Sequence, residues 1–180
     1  MSVPDYPWYG VAEGEEVEQG EILLDCPRFS IFADESGSLR AAEERVNAVV
    51  LTQSCDLVVR SGAGSEGEQV ILCGFRSRSE LTIHPTFGKA SSWDEARKGR
   101  LPHFHVLDRC DLPGHGSDFL LVDFHRVFTL PLTFVLALAA KRSPRLRLLP
   151  PYREQLAQAA GRLISRVAAP KDIAPFAAKK

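Results

Sequence analysis

Two runs of aliphatic, β-favouring residues give the clearest pattern in the chain. The first, NAVVLTQSCDLVV (47–59), has Val49 and Val50 near its centre and predicts a strand that ends in a polar corner. The second, EQVILCGF (68–75), predicts another strand. The segment between them is rich in Gly, Ser and Glu and is typical of an exposed hairpin tip. We therefore expect the two strands to form an antiparallel pair.

Weaker strand patterns lie on either side of this pair. The segment GEILLDCPRFSIF (20–32) is apolar but contains Pro27, which removes a ladder hydrogen bond, so we expect a strand, a bend and a second short strand. Residues 34–45 are polar and predict a loop or a short helical turn. LPHFHVL (101–107) and FLLVDFHRVFTL (119–130) alternate in the manner of strands.

The last third of the chain changes to helical spacing. Pro131 opens the apolar run LTFVLALAAKR, and residues 93–100 form an earlier candidate helix, with Ser92 as its N-cap and Gly99 at its end. From Pro151 onward, apolar residues recur at steps of three and four and predict an amphipathic helix: Tyr152, Leu156, Ala159, Ala160, Leu163, Ile164 and Val167.

Together these elements predict an α+β fold with a β-rich core closed by C-terminal helices. Residues 1–20 are expected to be an irregular lead-in, partly held down by Trp8 and Tyr9. Residues 21–170 are expected to form one domain, and residues 171–180 a flexible tail.

The charge balance and the apolar pattern exclude several classes of protein. A protein that held duplex nucleic acid mainly through its phosphates would carry a strong basic excess, whereas this chain has a formal net charge of −1. The N-terminus lacks the basic start and apolar run of a secretory signal, and no run approaches the ~18 apolar residues of a membrane span. We therefore expect a cytoplasmic protein without membrane contact, whose four cysteines stay reduced.

The tetrapeptide Gln53-Ser54-Cys55-Asp56 is the first candidate for chemistry, because it ends a buried strand. A cysteine followed by an aspartate at such a place suits a thiolate nucleophile or a metal ligand. The alternative is a structural corner, in which Asp56 bonds the turn backbone and Cys55 packs as a small apolar group.

Two histidines, His103 and His105, form the second candidate. At positions i and i+2 of a strand they share one face, so they could bind one metal ion, and Cys55 or Cys110 could complete a zinc site. Either histidine could instead act as a general base near neutral pH, with His103 the one grouped with Cys55 and Asp56 as a catalytic set. The alternative is a pair of polar-face histidines with ordinary partners. No cofactor is expected apart from zinc in the metal hypothesis.

Arginines supply the third candidate. Six of them lie in and before the last helix, where they form either a phosphate-binding patch or a solvated face: Arg142, Arg145, Arg147, Arg153, Arg162 and Arg166. A second set could line a basic groove for RNA: Arg40, Arg45, Arg76, Arg78 and Arg100.

The order of the strands resembles that of the PemK/MazF-like toxin barrels. This resemblance implies a small antiparallel SH3-like β-barrel packed with C-terminal amphipathic helices, with an endoribonuclease site built from an early-loop arginine and a Ser or Thr near the third strand. Arg45 stands at the position of that arginine, but Val46 replaces the proline that follows it in the family. Arg76 and Ser77 follow the strand QVILCGF.

The chain also resembles a group of uncharacterised bacterial proteins. These share a strand that ends in Gln-Ser/Thr-Cys-Asp and a late helix that begins Pro-Tyr-Arg-Glu, here Gln53 to Asp56 and Pro151 to Glu154. The resemblance implies no particular activity.

Three functions follow as hypotheses. The first is a non-catalytic protein-binding or regulatory module of a bacterial stress or defence type system. The second is a toxin-like RNA-binding or RNA-cleaving barrel, and the third is a thiol- or zinc-dependent hydrolase. We expect a protein partner, with RNA as the alternative, and candidate contact residues Gln53, Arg45, Arg76, Arg100 and Arg153. The first hypothesis is preferred, because no catalytic or metal-binding spacing is strong.

Overall fold

The structure is a computed structural model that describes residues 6–58 and 68–164 of the 180-residue chain. The strands and α-helices of the described residues follow one another in this order: β1 (Tyr9–Ala12), β2 (Ile22–Ala33), β3 (Leu39–Val50), β4 (Gln69–Ser77), α1 (Ala90–Arg97), β5 (Phe104–Leu107), β6 (Leu120–Pro131), α2 (Leu132–Lys141), β7 (Arg145–Leu148) and α3 (Tyr152–Ile164). The predicted α+β class is confirmed. None of these three helices has the length and apolar character needed to cross a bilayer.

Five strands form the main sheet, in the order β2-β3-β4-β6-β5, and every neighbouring pair is antiparallel. The predicted pairing of the strands on either side of the Gly/Ser/Glu segment is confirmed, because Val50 lies opposite Leu72. β1 and β7 form a separate two-stranded sheet. In the described part of the chain, β2 and β5 are free edges, so the five strands do not close into a barrel there.

The central part of the main sheet is buried on both faces, which explains why its central strands were readable in the sequence. Ala48, Val49 and Val50 are each 0% exposed, although they point alternately to opposite sides. Val49 packs in a cluster with residues of β1, β7 and α3, whereas Ala48 and Val50 pack with residues of α2. A third cluster places Trp93 of α1 against Leu121 of β6.

The two predicted C-terminal helices are confirmed. α2 begins directly after Pro131, and α3 begins at Tyr152, the first residue of the predicted apolar stripe. The lead-in is held down as expected: the Trp8 ring stacks on Tyr152 with 3.6 Å between ring centroids, and the Tyr9 hydroxyl donates to the Asp108 carbonyl at 2.6 Å. The stripe's last residue, Val167, and the predicted tail lie outside the described residues.

The prediction of a loop or helical turn over residues 34–45 is wrong. Only Asp34 to Ser38 form the turn, in which the Asp34 carboxylate accepts from the Ser36 and Ser38 amides and Gly37 has φ +80°. Leu39 onward belongs to β3. The run Ala-Ala-Glu-Glu-Arg favours a helix locally, but its pairing with β2 along the whole hairpin overrides that propensity.

The predicted bend at Pro27 is also wrong. Pro27 lies in register opposite Arg45, and because β2 is an edge strand the missing amide can face away from the ladder. The irregularity lies earlier: the register shifts between Leu23 and Cys26, and Asp25 has φ +58°.

Three further elements differ from expectation. The lead-in over residues 1–20 is not wholly irregular, because Tyr9–Ala12 form β1. Its partner β7 carried no recognised strand signal. Ser92 lies inside α1 and not at its N-cap, since the helix begins at Ala90; the predicted end near Gly99 is correct, and Gly99 has φ +70°.

A buried ion pair joins several of these elements. Arg145 at the start of β7 is 3% exposed and Glu21 is 1% exposed; the Arg145 Nε donates to the Glu21 carboxylate at 2.8 Å. The same guanidinium donates to the backbone carbonyls of Gly14, Glu16 and Ala139 at 2.9, 2.8 and 2.7 Å. It therefore connects the segment after β1, the start of β2 and the end of α2.

We predict that Arg145→Met lowers the free energy of unfolding by about 3–5 kcal/mol, because it removes the hydrogen-bonded cation from the buried Glu21 carboxylate and leaves Arg147, at 4.0 Å, as the only described cation within ion-pair distance. Urea unfolding at neutral pH measures this. Arg40→Met is the matched control: Arg40 also pairs with a carboxylate, Asp34, but its side chain is 67% exposed, so a loss below about 1 kcal/mol is expected. Equal losses in the two variants would contradict the role given to Arg145.

Candidate functional site

The distal half of the β2–β3 hairpin, residues 28–45, extends away from the core, and we call it the arm. None of its residues is buried. Its two strands remain paired up to Ala33 and Leu39, at the turn. The arm is therefore an ordered ribbon of sheet without a covering layer in the described residues.

The two faces of the arm differ in chemistry. Residues opposite each other in antiparallel strands share a face, so the pairs Phe29/Glu43, Ile31/Ala41 and Ala33/Leu39 lie on one side. Five of these residues are apolar and define what we call the apolar face: Phe29, Ile31, Ala33, Leu39 and Ala41. The large side chains are strongly exposed: Phe29 by 60%, Ile31 by 74% and Leu39 by 76%.

The charges on the arm, apart from that of Glu35 in the turn, are paired within the described residues. On the opposite face, Arg28 pairs with Glu44, which also contacts Arg126 of β6 at 3.1 Å. Arg40 pairs with Asp34 at 2.8 Å, and Arg45 pairs with Glu43 at 2.8 Å. The surface that the arm offers to another molecule is therefore mainly apolar, which is the property of protein-interaction patches.

The Gln53–Asp56 corner forms a 3₁₀ turn, Ser54–Asp56, after β3. It is tied to the lead-in, because the Ser54 hydroxyl accepts from the Gln19 amide at 3.1 Å and the Gln19 side chain donates to the Leu51 carbonyl at 2.8 Å. Cys55 is exposed, which excludes the expected packing as a small apolar group. Its Sγ lies 3.8 Å from Gln53 Oε1 and 3.6 Å from Asp56 Oδ1, and no described histidine is within hydrogen-bond distance.

The two histidines have different surroundings. His103 precedes β5, and its ring stacks on His125 with 4.4 Å between centroids. His105 lies within β5, where burial, together with the nearby Arg162, lowers its pKa to about 4. His103 Nδ1 and His105 Nε2 are buried and have no hydrogen-bond partner among the described residues.

The proposed zinc ligands do not assemble in the described part of the chain, where no three His, Cys, Asp or Glu residues are placed to hold a metal ion. Cys55 therefore does not join His103 and His105 in such a set, and Cys110 is buried beside Ser117. In the described residues, His103 is not hydrogen-bonded to Cys55 or Asp56. A general base for the Cys55 thiol would need such a contact, directly or through one water, during the reaction.

Two of the predicted contact arginines line the same cavity. Arg45 and Arg76 line a cavity of about 190 Å³ together with Arg126 and Asn47. No described carboxylate lies within ion-pair distance of Arg76. The acidic residues Asp25 and Glu80 also line this cavity, so its charge is mixed.

The other arginines are engaged elsewhere. Arg100 pairs with Glu95 at 2.9 Å, and Arg153 pairs with Glu154 at 2.8 Å. Arg78 lies 6.0 Å from the ring centroids of Trp93 and Phe119. The six-arginine patch before and in the last helix does not form as one surface, because Arg145 is buried in its ion pair. Arg166 lies outside the described residues.

The apolar face was not recognised from the sequence, although two signals for it are present. Phe29 and Ile31 are separated by the polar residue Ser30, Leu39 and Ala41 are separated by Arg40, and the turn-forming segment DESGS lies between the two runs. Reading this segment as one hairpin would have placed all four residues on one side.

We predict that only one of the four cysteines reacts quickly with a thiol reagent such as dithionitrobenzoate in the folded protein. Cys55 is exposed, whereas the other three are buried, and burial raises the pKa values of Cys26 and Cys73 to about 12. Cys55→Ser should remove the fast reaction, whereas Cys73→Ser, the matched control, should leave it intact. Two or more fast thiols in the wild-type protein would contradict these positions.

Comparison with protein-family models found no match, and comparisons with curated proteins and with solved structures found no match either.

Proposed function

We propose that the chain is a non-catalytic protein-binding module and that the apolar face of the arm is its contact surface. The observation that carries this proposal is the exposure of Phe29, Ile31 and Leu39 on one side of an ordered hairpin. Such a patch is costly in water, and covering it by a partner removes that cost.

These side chains would make a favourable contribution to binding. Full burial of one large apolar side chain contributes about 1.5–3 kcal/mol, so three such residues contribute several kcal/mol together. The arm is held by strand pairing before a partner arrives, so little conformational entropy is lost on binding. The arm's ion pairs leave no large field of one sign, which favours an apolar contact over an ionic one.

The chemistry of the partner follows from this surface. It is a protein with an apolar groove or a complementary sheet face, and its contact with the arm depends little on salt. We further propose that the chain works in a bacterial stress or defence system. Identification of the bound partner would test this part of the proposal.

We predict that the double variant Ile31→Glu/Leu39→Glu loses a partner that the wild-type chain retains in affinity capture from the native host. Two charges on the apolar face would have to lose their hydration when the partner binds, which lowers affinity. For the purified complex of the chain with its partner, we expect the dissociation constant to rise about 100-fold or more. Both positions are solvent-exposed, so the free protein should keep its unfolding midpoint.

The matched control is Arg40→Glu, which changes the charge on the opposite face of the same arm. It should retain the partner. Sedimentation of the purified chain distinguishes the remaining outcomes. If the wild type forms a dimer and the double variant does not, the partner on the apolar face is a second copy of this chain and not another protein. A monomer that retains no host protein would overturn the proposal.

A second candidate function, RNA binding, is favoured by one observation: Arg45, Arg76 and Arg126 line the same cavity. As part of this candidate, we propose that the sheet is related to the SH3-like barrels. The consecutive antiparallel strands β2, β3 and β4 support this relationship.

If RNA is the ligand, wild-type protein should bind a labelled single-stranded oligonucleotide at low salt, and affinity should fall steeply as salt rises. Arg76→Ala should weaken binding about tenfold, whereas Arg100→Ala, outside the cavity, should not. Absence of both binding and cleavage at low salt would remove this candidate.

A further inference from the structure

The main sheet has a second free edge, β5, at the side away from the arm. The Phe124 amide donates to the His103 carbonyl at 2.9 Å, so His103 and Phe124 form a hydrogen-bonded pair at the start of this strand. In an antiparallel ladder such pairs alternate, and His105 opposite Val122 is therefore the next one. The backbone groups of Phe104 and Val106 consequently point away from β6, toward the free edge.

These outward groups are largely unpaired. The Phe104 amide donates to the Leu101 carbonyl at 2.9 Å. The Phe104 carbonyl and both backbone groups of Val106 have no backbone partner among the described residues outside the strand ladder. Two acceptors and one donor are thus available to an added strand.

A groove of about 690 Å³ runs along this edge. Phe104, His105 and Val106 form one wall, and α3 forms another through Gln155, Gln158, Ala159 and Arg162. The C-terminal end of α1 and Pro102 border it as well. Its volume is in the range of ligand-binding clefts.

The charged side chains that line the groove are all basic: Arg97, Lys98 and Arg162. Arg97 and Lys98 share a single carboxylate, that of Asp94, which does not line the groove. No described carboxylate lies within ion-pair distance of Arg162. The three cations and one carboxylate leave this surface net positive.

We propose that the groove binds an acidic, extended segment of a partner protein, which adds a strand to the free edge of β5. The backbone of Val106 supplies the ladder hydrogen bonds, and Arg97, Lys98 and Arg162 select acidic side chains. The chain's own residues 165–180 do not match this groove in charge, since they contain four basic residues and one acidic residue. The site is separate from the arm and does not rest on the function proposed for it.

The test uses the full chain and a fluorescent decapeptide of alternating Glu and Val, compared with the same peptide in which Lys replaces Glu. The acidic peptide should bind at low salt, and the basic peptide at least about tenfold more weakly. Arg162→Glu should weaken the acidic peptide about tenfold, whereas Arg40→Glu, the same change of charge on the arm, should not.

A fully N-methylated acidic peptide separates strand addition from simple charge attraction, because it keeps the carboxylates but cannot donate backbone hydrogen bonds. It should bind at least about tenfold more weakly than the unmodified peptide. Amide NMR shifts should change at Val106 when the unmodified peptide is added. Three results would each overturn the proposal: equal affinity for the acidic and basic peptides, equal affinity for the methylated and unmodified acidic peptides, or amide shift changes confined to the arm. All three are measured on the wild-type protein, so they hold even if Arg162→Glu fails to fold.

Discussion

The arrangement of the strands depends on the buried guanidinium of Arg145. Four of its hydrogen bonds go to groups from three separate parts of the chain: the Glu21 carboxylate, two carbonyls that follow β1, and the last turn of α2. A buried charge is tolerated only when its partners are complete, so these segments can take few other positions relative to β7. This fixes the layer that β1 and β7 add to the main sheet, and with it the packing surface for α3.

Coverage of both faces of the sheet leaves its two edges as the places where the molecule can extend. On one side β2 and β3 continue past the core as the arm; on the other β5 ends after four residues beside α3. An isolated hairpin is only marginally stable in water. The strands of the arm are continuous with the buried residues Ile22–Leu23, Val46 and Ala48–Val50, which lie within the core. Its exposed apolar residues are therefore carried by strands that are anchored in the core.

The parts that were predictable from sequence are those where burial sets the pattern. Val49, Leu72 and the α3 stripe produce runs or spacings that only a buried strand or helix requires. The second strand of the arm was missed because its residues are exposed on both sides, so the apolar pattern of Leu39–Arg45 is reduced to Leu39 and two alanines among charged residues. β7 was missed for a different reason: half of its residues are arginines, and the burial of Arg145 depends on Glu21, 124 residues away. Such a long-range ion pair has no local signature. In the candidate sites, two of the five arginines suggested for a groove, Arg45 and Arg76, line one cavity, whereas the positions of Cys55 and the histidines depend on the tertiary fold.

Among the described residues, the side chains suggested for catalysis are not hydrogen-bonded to one another. General-base catalysis by the proposed residues needs a nucleophile and a base within about 3 Å of each other or linked by one water. Among the described residues, the Cys55 thiol is within hydrogen-bond distance of Gln53 and Asp56, while His103 stacks on His125 and His105 lies beside Arg162. Burial lowers the pKa of His105 to about 4, so it stays neutral between pH 5 and 8 and lacks the near-neutral titration that suits a general base. A binding surface has no such demand for convergence of a few atoms. The proposal of a binding module rests instead on exposed apolar side chains of the arm that the core does not use.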